Sequence, residues 1–267
     1  MTPVDLLYLV DGLCREAGAQ ILEVFRNDIE VQKKSDESPV TEADLRAHHV
    51  LTDGLPKLLD VPILSEEGEL PSLAERSAWD RYWLVDPLDG TRQFIRGSKD
   101  FSVNVALIER GRPTLGVVYL PARGLGYRAA QGHGAQSQVD ADTPRAMAIS
   151  PARDPLRVVV SSARSGPKQK KLLALLAPTD VQLHGSSWKS CLVADGAADL
   201  YPRFGPTCEW DTAAAQCIVE EAGGTMVSES FEPLTYNRRE SLINPSFFVF
   251  GDPALGESLR AILPQLP

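Results

Sequence analysis

The strongest chemical signal in the chain is Trp83-Leu84-Val85-Asp86-Pro87-Leu88-Asp89-Gly90-Thr91. An apolar run delivers two carboxylates, three positions apart, into a tight turn. Pro87 fixes its own φ, and Gly90 permits a backbone angle that other residues avoid. Thr91 then opens a short helical stretch through Arg96. The two carboxylates and the Leu88 carbonyl can converge on a hard cation, which takes oxygen ligands. The amides of Gly90 and Thr91, at a helix N-terminus, suit a phosphate. The plainer alternative is a surface Asp-Pro-x-Asp-Gly turn that satisfies its own backbone. Further acidic positions carry the same double reading. Glu66 and Glu67 follow a short apolar run, as ligands or as a solvated pair. Asp211 follows Trp210 at the head of an alanine-rich helix, as a ligand or as a partner of the helix dipole. Asp44 lies in the first turn after Thr41, where capping is the default.

Regular elements must carry these residues. Residues 2–26 read as an amphipathic helix, with Leu6, Val10, Leu13, Ala17, Ile21 and Val24 every three or four positions and Thr2 as cap. The polar stretch 33–39 reads as a loop. Thr41–Asp44 resembles a capping box opening a helix to about Leu59. Pro62–Leu64 is a short buried strand that runs into Glu66. Tyr82–Val85 is a strand ending at Asp86-Pro87. Phe101–Ile108 alternates, with Val103, Val105 and Leu107 on one face. It turns at Arg110–Pro113 and returns as Thr114–Leu120. Tyr127–Ala130 and Arg145–Ile149 extend this antiparallel region. From Val158 the pattern becomes strand–helix alternation: strands Val158–Val160, Val181–Leu183, Asp199–Tyr201 and Phe247–Phe250, and helices Lys168–Leu176, Ser187–Asp195, Trp210–Ala222 and Pro253–Ile262. This divides the chain into an α+β half, 1–152, holding most of the acidic residues, and an α/β half, 153–267, holding Asp211.

Composition narrows the function classes. The chain has 267 residues, of which 43% are hydrophobic and 24% charged, an ordinary globular mix. No apolar run approaches the ~18 residues of a membrane span. The N-terminal stretch has no basic region and is interrupted by Asp5 and Asp11, unlike a signal peptide, so the expectation is a cytoplasmic protein. The formal charge of −9 argues against a nucleic-acid polymer as partner. An anionic small substrate would need a local cation to hold it. Cys14, Cys191, Cys208 and Cys217 form no CxxC pair, and no His stands at ligand spacing from them, so they read as reduced thiols rather than a zinc site. Gly132-His133-Gly134 lacks the remaining features of a dinucleotide fingerprint.

Together, Ser65-Glu66-Glu67, Asp86-Pro87-Leu88-Asp89-Gly90-Thr91 and Trp210-Asp211-Thr212-Ala213-Ala214 resemble the lithium-sensitive, magnesium-dependent phosphatase superfamily. That superfamily contains inositol monophosphatase, fructose-1,6-bisphosphatase and the 3′(2′),5′-bisphosphate nucleotidases. The likeness runs from Ser38-Pro39-Val40-Thr41 to Leu242-Ile243-Asn244-Pro245. Gly185-Ser186-Ser187-Trp188-Lys189-Ser190-Cys191-Leu192-Val193-Ala194 and Leu200–Thr207 look like the CysQ-type nucleotidases, whereas inositol phosphatases generally lack a lysine at Lys189. The resemblance implies a layered αβαβα sandwich, mixing α+β and α/β character, that hydrolyses the 3′-phosphate of adenosine 3′,5′-bisphosphate (PAP).

By the same resemblance, Glu66, Asp86, the Leu88 carbonyl, Asp89 and Asp211 would hold two or three Mg²⁺ ions, with Asp86 bridging. Glu66, Thr91 and Asp44 would serve water activation, and Glu67 a peripheral metal or the water network. Clustered carboxylates repel each other and a phosphate unless cations fill the site. Glu66, Gly90, Thr91 and Asp211 would also face the substrate. Ser186, Lys189 and Arg203 are the candidates for the adenosine and its untransferred 5′-phosphate. Where these nucleotidases often carry a Ser-Arg-Ser-His-like segment, this chain reads Ser161–Ser165. That places Arg164 near the histidine point, to stack on adenine, grip a phosphate or change substrate preference. The resemblance also implies lithium sensitivity, a monomer or homodimer, and a weak peripheral association with the inner membrane for which no anchor is visible. The rival within the superfamily is an inositol or sugar phosphatase. The rival outside it is a nucleotide sensor without turnover, against which the full acidic set argues.

Overall fold

The computed structural model describes residues 1–25, 31–33, 39–161 and 166–267. In chain order they form α1 (Pro3–Phe25), β1 (Val31–Lys33), β2 (Pro39–Thr41), α2 (Glu42–Leu58), β3 (Ile63–Ser65), α3 (Leu73–Arg76), β4 (Arg81–Asp89), α4 (Thr91–Ile95), β5 (Ser102–Glu109), β6 (Arg112–Leu120), β7 (Leu125–Ala130), β8 (Ala135–Val139) and β9 (Arg145–Ala146). There follow β10 (Leu156–Ser161), α5 (Pro167–Leu176), β11 (Thr179–His184), α6 (Trp188–Ala194), β12 (Leu200–Arg203), α7 (Ala213–Glu221), β13 (Thr225–Ser228), β14 (Phe247–Phe250) and α8 (Pro253–Ile262).

Two sheets organise the chain. A seven-stranded sheet runs β3-β4-β5-β6-β7-β8-β9, and a five-stranded sheet runs β11-β10-β12-β14-β13. Strands β4 to β9 pair antiparallel, whereas β3 pairs parallel with β4, Ser65 beside Val85. Alternate side chains of β4 and β5 enter different cores, as the two-residue strand period requires. Trp83, Val85, Val103, Val105 and Leu107 meet α1 and α2 on one face. Tyr82, Leu84, Ala106 and Ile108 face α6 and α7 on the other, where Val159, Tyr201, Phe247 and Val249 close the core from the second sheet. Leu172 of α5 and Leu255 and Leu259 of α8 cover the far face, over Val158, Val160 and Phe248. The result is the layered αβαβα sandwich.

The small residues at the head of α7 fix its depth. A Cβ built on Gly116 of β6 would lie 2.3 Å from the Ala214 carbonyl oxygen, so only glycine admits the helix here. This contact seats the residues just before α7 over the seven-stranded sheet.

Several elements differ from their sequence reading. The buried stripe of α1 is Leu7, Val10, Cys14, Ala17, Ile21 and Val24, with Leu6 and Leu13 on its flanks. Strand β4 does not stop at Asp86-Pro87: it continues to Asp89, because the register shifts between Asp86 (opposite Asn104) and Asp89 (opposite Ser102). Pro87 falls in that irregularity, where its missing N–H removes no ladder bond. The helix from Trp210 splits into a 3₁₀ turn, Glu209–Asp211, and α7. Arg145–Ile149 supplies a strand of only two residues, and β8 and β13 were not foreseen. Part of the polar stretch 33–39 lies outside the described residues, and its ends belong to the β1–β2 pair.

Candidate active site

The parallel pairing of β3 with β4 brings two C-terminal strand ends side by side, so Glu66 emerges beside Asp86. The Glu66 amide donates to the Val85 carbonyl at 3.1 Å. His48 Nδ1, from α2, stands 3.0 Å from Ser65 Oγ and ties the end of β3 to that helix. The 3₁₀ turn before α7 supplies Asp211, whose Oδ2 accepts the Cys208 amide at 2.9 Å. Carboxylate oxygens of Glu66, Asp86 and Asp211 thereby lie within 4.8 Å of one another.

Asp86 is 1% exposed. Its Oδ1 accepts the Leu88 amide at 3.0 Å, while no donor among the described residues reaches the buried Oδ2. Burial, then the neighbouring charges of Glu66, Asp89 and Asp211, push the Asp86 carboxyl well above its usual range. Burial also raises Asp211, reinforced by Asp89 and Glu66. An orphaned buried oxygen inside a set of mutually repelling carboxylates fits a divalent cation, which would supply both the missing contact and the missing charge.

Asp89 stands outside the trio. Its Oδ2 accepts the Ser187 amide at 2.6 Å and lies 2.7 Å from Ser187 Oγ and 3.4 Å from Asn104 Nδ2. Ser187 Oγ is also 2.5 Å from the Asp211 carbonyl oxygen and accepts from Asn104 Nδ2 at 2.9 Å. Ser187 and Asn104 therefore join the two acidic motifs. Sequence reasoning did not assign either a role. Ser187 stood unmarked beside Ser186, and Asn104 was hidden as one polar position in an apolar strand.

Asp44 divides its oxygens between two tasks. Oδ2 completes the capping box, accepting the Thr41 amide at 2.7 Å and the Thr41 hydroxyl at 2.6 Å. Oδ1 stands 3.1 Å from Thr91 Oγ, which is also 3.3 Å from the Leu88 carbonyl oxygen. Burial raises the Asp44 carboxyl, against the lowering effect of the Thr41 and Thr91 hydrogen bonds. Gly90 caps α4 with φ +95°, the left-handed backbone that its position required.

A cleft with a cavity volume of about 160 Å³ runs from Asp89, Gly90 and Asp211 to Ser186, Lys189 and Arg203. Lys189 is 4% exposed. Its ammonium donates to the Ser186 carbonyl at 2.5 Å and lies 5.2 Å from the Tyr201 ring centre. Burial pulls its pKa down to about 8, partly opposed by Asp89. Arg203 is braced by the protein: Nε donates to Thr207 Oγ at 2.7 Å, Nη1 to Ser161 Oγ at 2.8 Å and Nη2 to the Pro206 carbonyl at 2.9 Å. Of its five N–H donors, two remain for a ligand. Ser186 takes a positive φ of 48° at the start of the turn. Arg164 lies outside the described residues.

Comparison with known proteins gives one consistent answer. The signature described as the inositol monophosphatase family matches residues 5–264. The 3′(2′),5′-bisphosphate nucleotidase CysQ of Escherichia coli K12 is 45% identical over 247 residues, covering 91% of this chain and 99% of that protein. The CysQ of Haemophilus influenzae is 40% identical over 250 residues, covering 92% of this chain and 93% of its own length. Among solved structures, CysQ from Bacteroides thetaiotaomicron superposes with a TM-score of 0.80 at 36% identity, covering 93% of this chain and 97% of that one. A Thermotoga maritima IMPase shares the fold, with a TM-score of 0.80 at 24% identity, covering 98% of this chain and 97% of that one. Among the described residues, no helix is long and apolar enough to cross a membrane.

Proposed function

This chain belongs to the inositol monophosphatase family, on the branch of the CysQ-type nucleotidases, and from that premise we propose that it removes the 3′-phosphate of adenosine 3′,5′-bisphosphate, giving AMP and phosphate. The observation that carries this reading is the two-ended cleft. Its acidic end holds Asp89 and Asp211, its cationic end holds Lys189 and Arg203, and a bisphosphate needs both.

Glu66, Asp86, the Leu88 carbonyl, Asp89 and Asp211 would hold two or three Mg²⁺ ions. When bound, these ions supply positive charge to the phosphoryl group and acidify the attacking water. The chain's own groups do the rest. Asp44 Oδ1 holds the Thr91 hydroxyl beside the Leu88 carbonyl, where Thr91 orients the water for in-line attack on phosphorus. Ser187 keeps Asp89 beside the Asp211 turn. The Gly90 and Thr91 amides receive phosphoryl oxygens. The Lys189 ammonium and the Ser186 hydroxyl take the 5′-phosphate, and the two remaining Arg203 N–H groups reinforce that end.

Phosphate release from a panel tests this: adenosine 3′,5′-bisphosphate, its sulfated form PAPS, inositol 1-phosphate and fructose 1,6-bisphosphate, each with Mg²⁺, with chelator and with added Li⁺. The expected result is preference for adenosine 3′,5′-bisphosphate, abolished by chelator and reduced by Li⁺. Preference for inositol 1-phosphate would retain the metal chemistry and overturn the roles given to Ser186, Lys189 and Arg203.

A further inference from the structure

Outside the cleft, the most unusual buried group is Arg76 of α3. It is 1% exposed, and no carboxylate of the described residues stands within ion-pair distance of it. A buried charge with no counter-ion in contact must be hydrogen-bonded; Glu209 acts on Arg76 only at longer range, and each guanidinium nitrogen donates to the protein. Nε donates to the Pro71 carbonyl at 3.3 Å, Nη1 to Asn237 Oδ1 at 2.5 Å, and Nη2 to the carbonyls of Arg239 and Glu240 at 2.7 and 2.6 Å. Asn237 returns a bond from Nδ2 to the Arg76 carbonyl at 2.6 Å, across 161 positions of sequence. Its backbone amide donates to Glu209 Oε2 at 2.7 Å.

Both ends of this chain of contacts lead to the acidic trio. Arg76 follows the connection that starts at Glu66. Glu209 is 0% exposed and opens the 3₁₀ turn that ends in Asp211. Its backbone carbonyl accepts the Thr212 amide at 3.2 Å and the Thr212 hydroxyl at 3.1 Å. Glu66 lies one residue beyond β3, its amide bonded to the Val85 carbonyl, and Asp211 ends the 3₁₀ turn, its amide bonded to the Cys208 carbonyl. Three ionised carboxylates this close repel one another, and contacts outside the trio add to the backbone bonds that resist their spreading.

We propose that Arg76, Asn237 and Glu209 are positioning residues that hold the Glu66 and Asp211 segments at metal-binding separation and so set the affinity of the site for divalent cations. The proposal rests on the metal reading of the trio. Cutting the relay lets the trio relax when empty, and a saturating cation pulls it together again. The signature is therefore weaker metal binding with the saturated rate retained.

Two variants test it. Asn237 has φ +57°, so Asn237→Gly keeps the backbone and its amide bond to Glu209 while removing both side-chain links to Arg76. Arg76→Lys keeps the charge but loses the fork that reaches several acceptors. Mn²⁺ binding is measured by isothermal titration calorimetry without substrate, alongside the Mg²⁺ dependence of phosphate release. Loss of such a supporting contact weakens metal binding by about tenfold. The Mg²⁺ concentration at half-maximal rate should rise by the same factor, with kcat at saturating Mg²⁺ within about twofold of wild type. Asp199→Asn, which breaks the remote pair with Arg157, controls for lost stability and should leave Mn²⁺ binding unchanged. Mn²⁺ affinity within about twofold of wild type in Asn237→Gly and Arg76→Lys, or equal weakening in Asp199→Asn, would overturn the proposal. A wild-type chain that binds Mn²⁺ without releasing phosphate would overturn the nucleotidase reading alone. One that binds no Mn²⁺ would overturn both.

Discussion

Raising the pH from 7 to 9 should weaken capture of a bisphosphate through one side chain, Lys189. Burial holds its pKa down to about 8. The ammonium is therefore about 90% charged at pH 7 and about 10% charged at pH 9 in the free protein. Binding of the 5′-phosphate needs the charged form, so kcat/KM for adenosine 3′,5′-bisphosphate should fall by about tenfold over this interval. The substrate contributes little to the change, because phosphate monoesters complete their second ionisation near pH 6. Adenosine 3′-monophosphate lacks the 5′-phosphate and should show no such limb. In Lys189→Arg the guanidinium stays charged, and the limb should disappear for the bisphosphate as well. The assay is initial-rate phosphate release at fixed saturating Mg²⁺, for both substrates and both proteins, from pH 6.5 to about 9.5. A wild-type profile flat between pH 7 and 9, or a fall of equal size for adenosine 3′-monophosphate, would refute the assignment of Lys189 to the 5′-phosphate.

Other outcomes follow from the same geometry. Asp86→Asn should raise Tm when chelator is present and, with Mg²⁺ instead, reduce activity by at least about a thousandfold, since it removes one charge from a repelling cluster and a ligand from the metal site. The sign of the pH effect agrees: the folded carboxyl binds its proton more tightly than the unfolded one, so metal-free stability falls as pH rises from the ordinary carboxylate value through the raised one. Mg²⁺ at a hundredfold excess over its Kd should oppose that fall by about 2.7 kcal/mol, read as a higher Tm. Ser187→Ala removes the hydroxyl between Asp89 and the Asp211 carbonyl, and kcat should fall by about tenfold, matching a loss of roughly 1.5 kcal/mol; an unchanged kcat would remove Ser187 from the account. Gly116→Ala places a methyl against the Ala214 carbonyl and should cost about 3 kcal/mol in urea unfolding, with activity lost as α7 and Asp211 shift.

Motifs that act locally were legible in the sequence. The capping box at Thr41 and Asp44, the left-handed Gly90 and the strand leading to Asp86 each follow from rules spanning a few residues. The second use of Asp44, holding Thr91, was reached only through resemblance, because no local rule pairs residues 47 positions apart. The polar alternation of β8 (Ala135–Val139) gives no apolar period to detect. The long stretch from Glu229 to Ser246 has no period either, yet it carries Asn237 and Asn244. Asn244 Nδ2 binds the Cys208 carbonyl at 2.9 Å and Thr212 Oγ at 2.8 Å, backing the Asp211 turn. Arg203 was a candidate ligand contact through the resemblance and the need of a bisphosphate for a second cation. Its position depends on Ser161 and Thr207, a tertiary arrangement that brings part of the guanidinium to the cleft and spends the rest on the fold.

The most direct test of the central claim is product identification after incubation with adenosine 3′,5′-bisphosphate and Mg²⁺, by separating adenosine 5′-monophosphate from adenosine 3′-monophosphate on a column while counting released phosphate. The account predicts adenosine 5′-monophosphate and phosphate in equal amounts, with neither formed in chelator. Formation of adenosine 3′-monophosphate, or no hydrolysis by a protein that binds Mn²⁺, would contradict it.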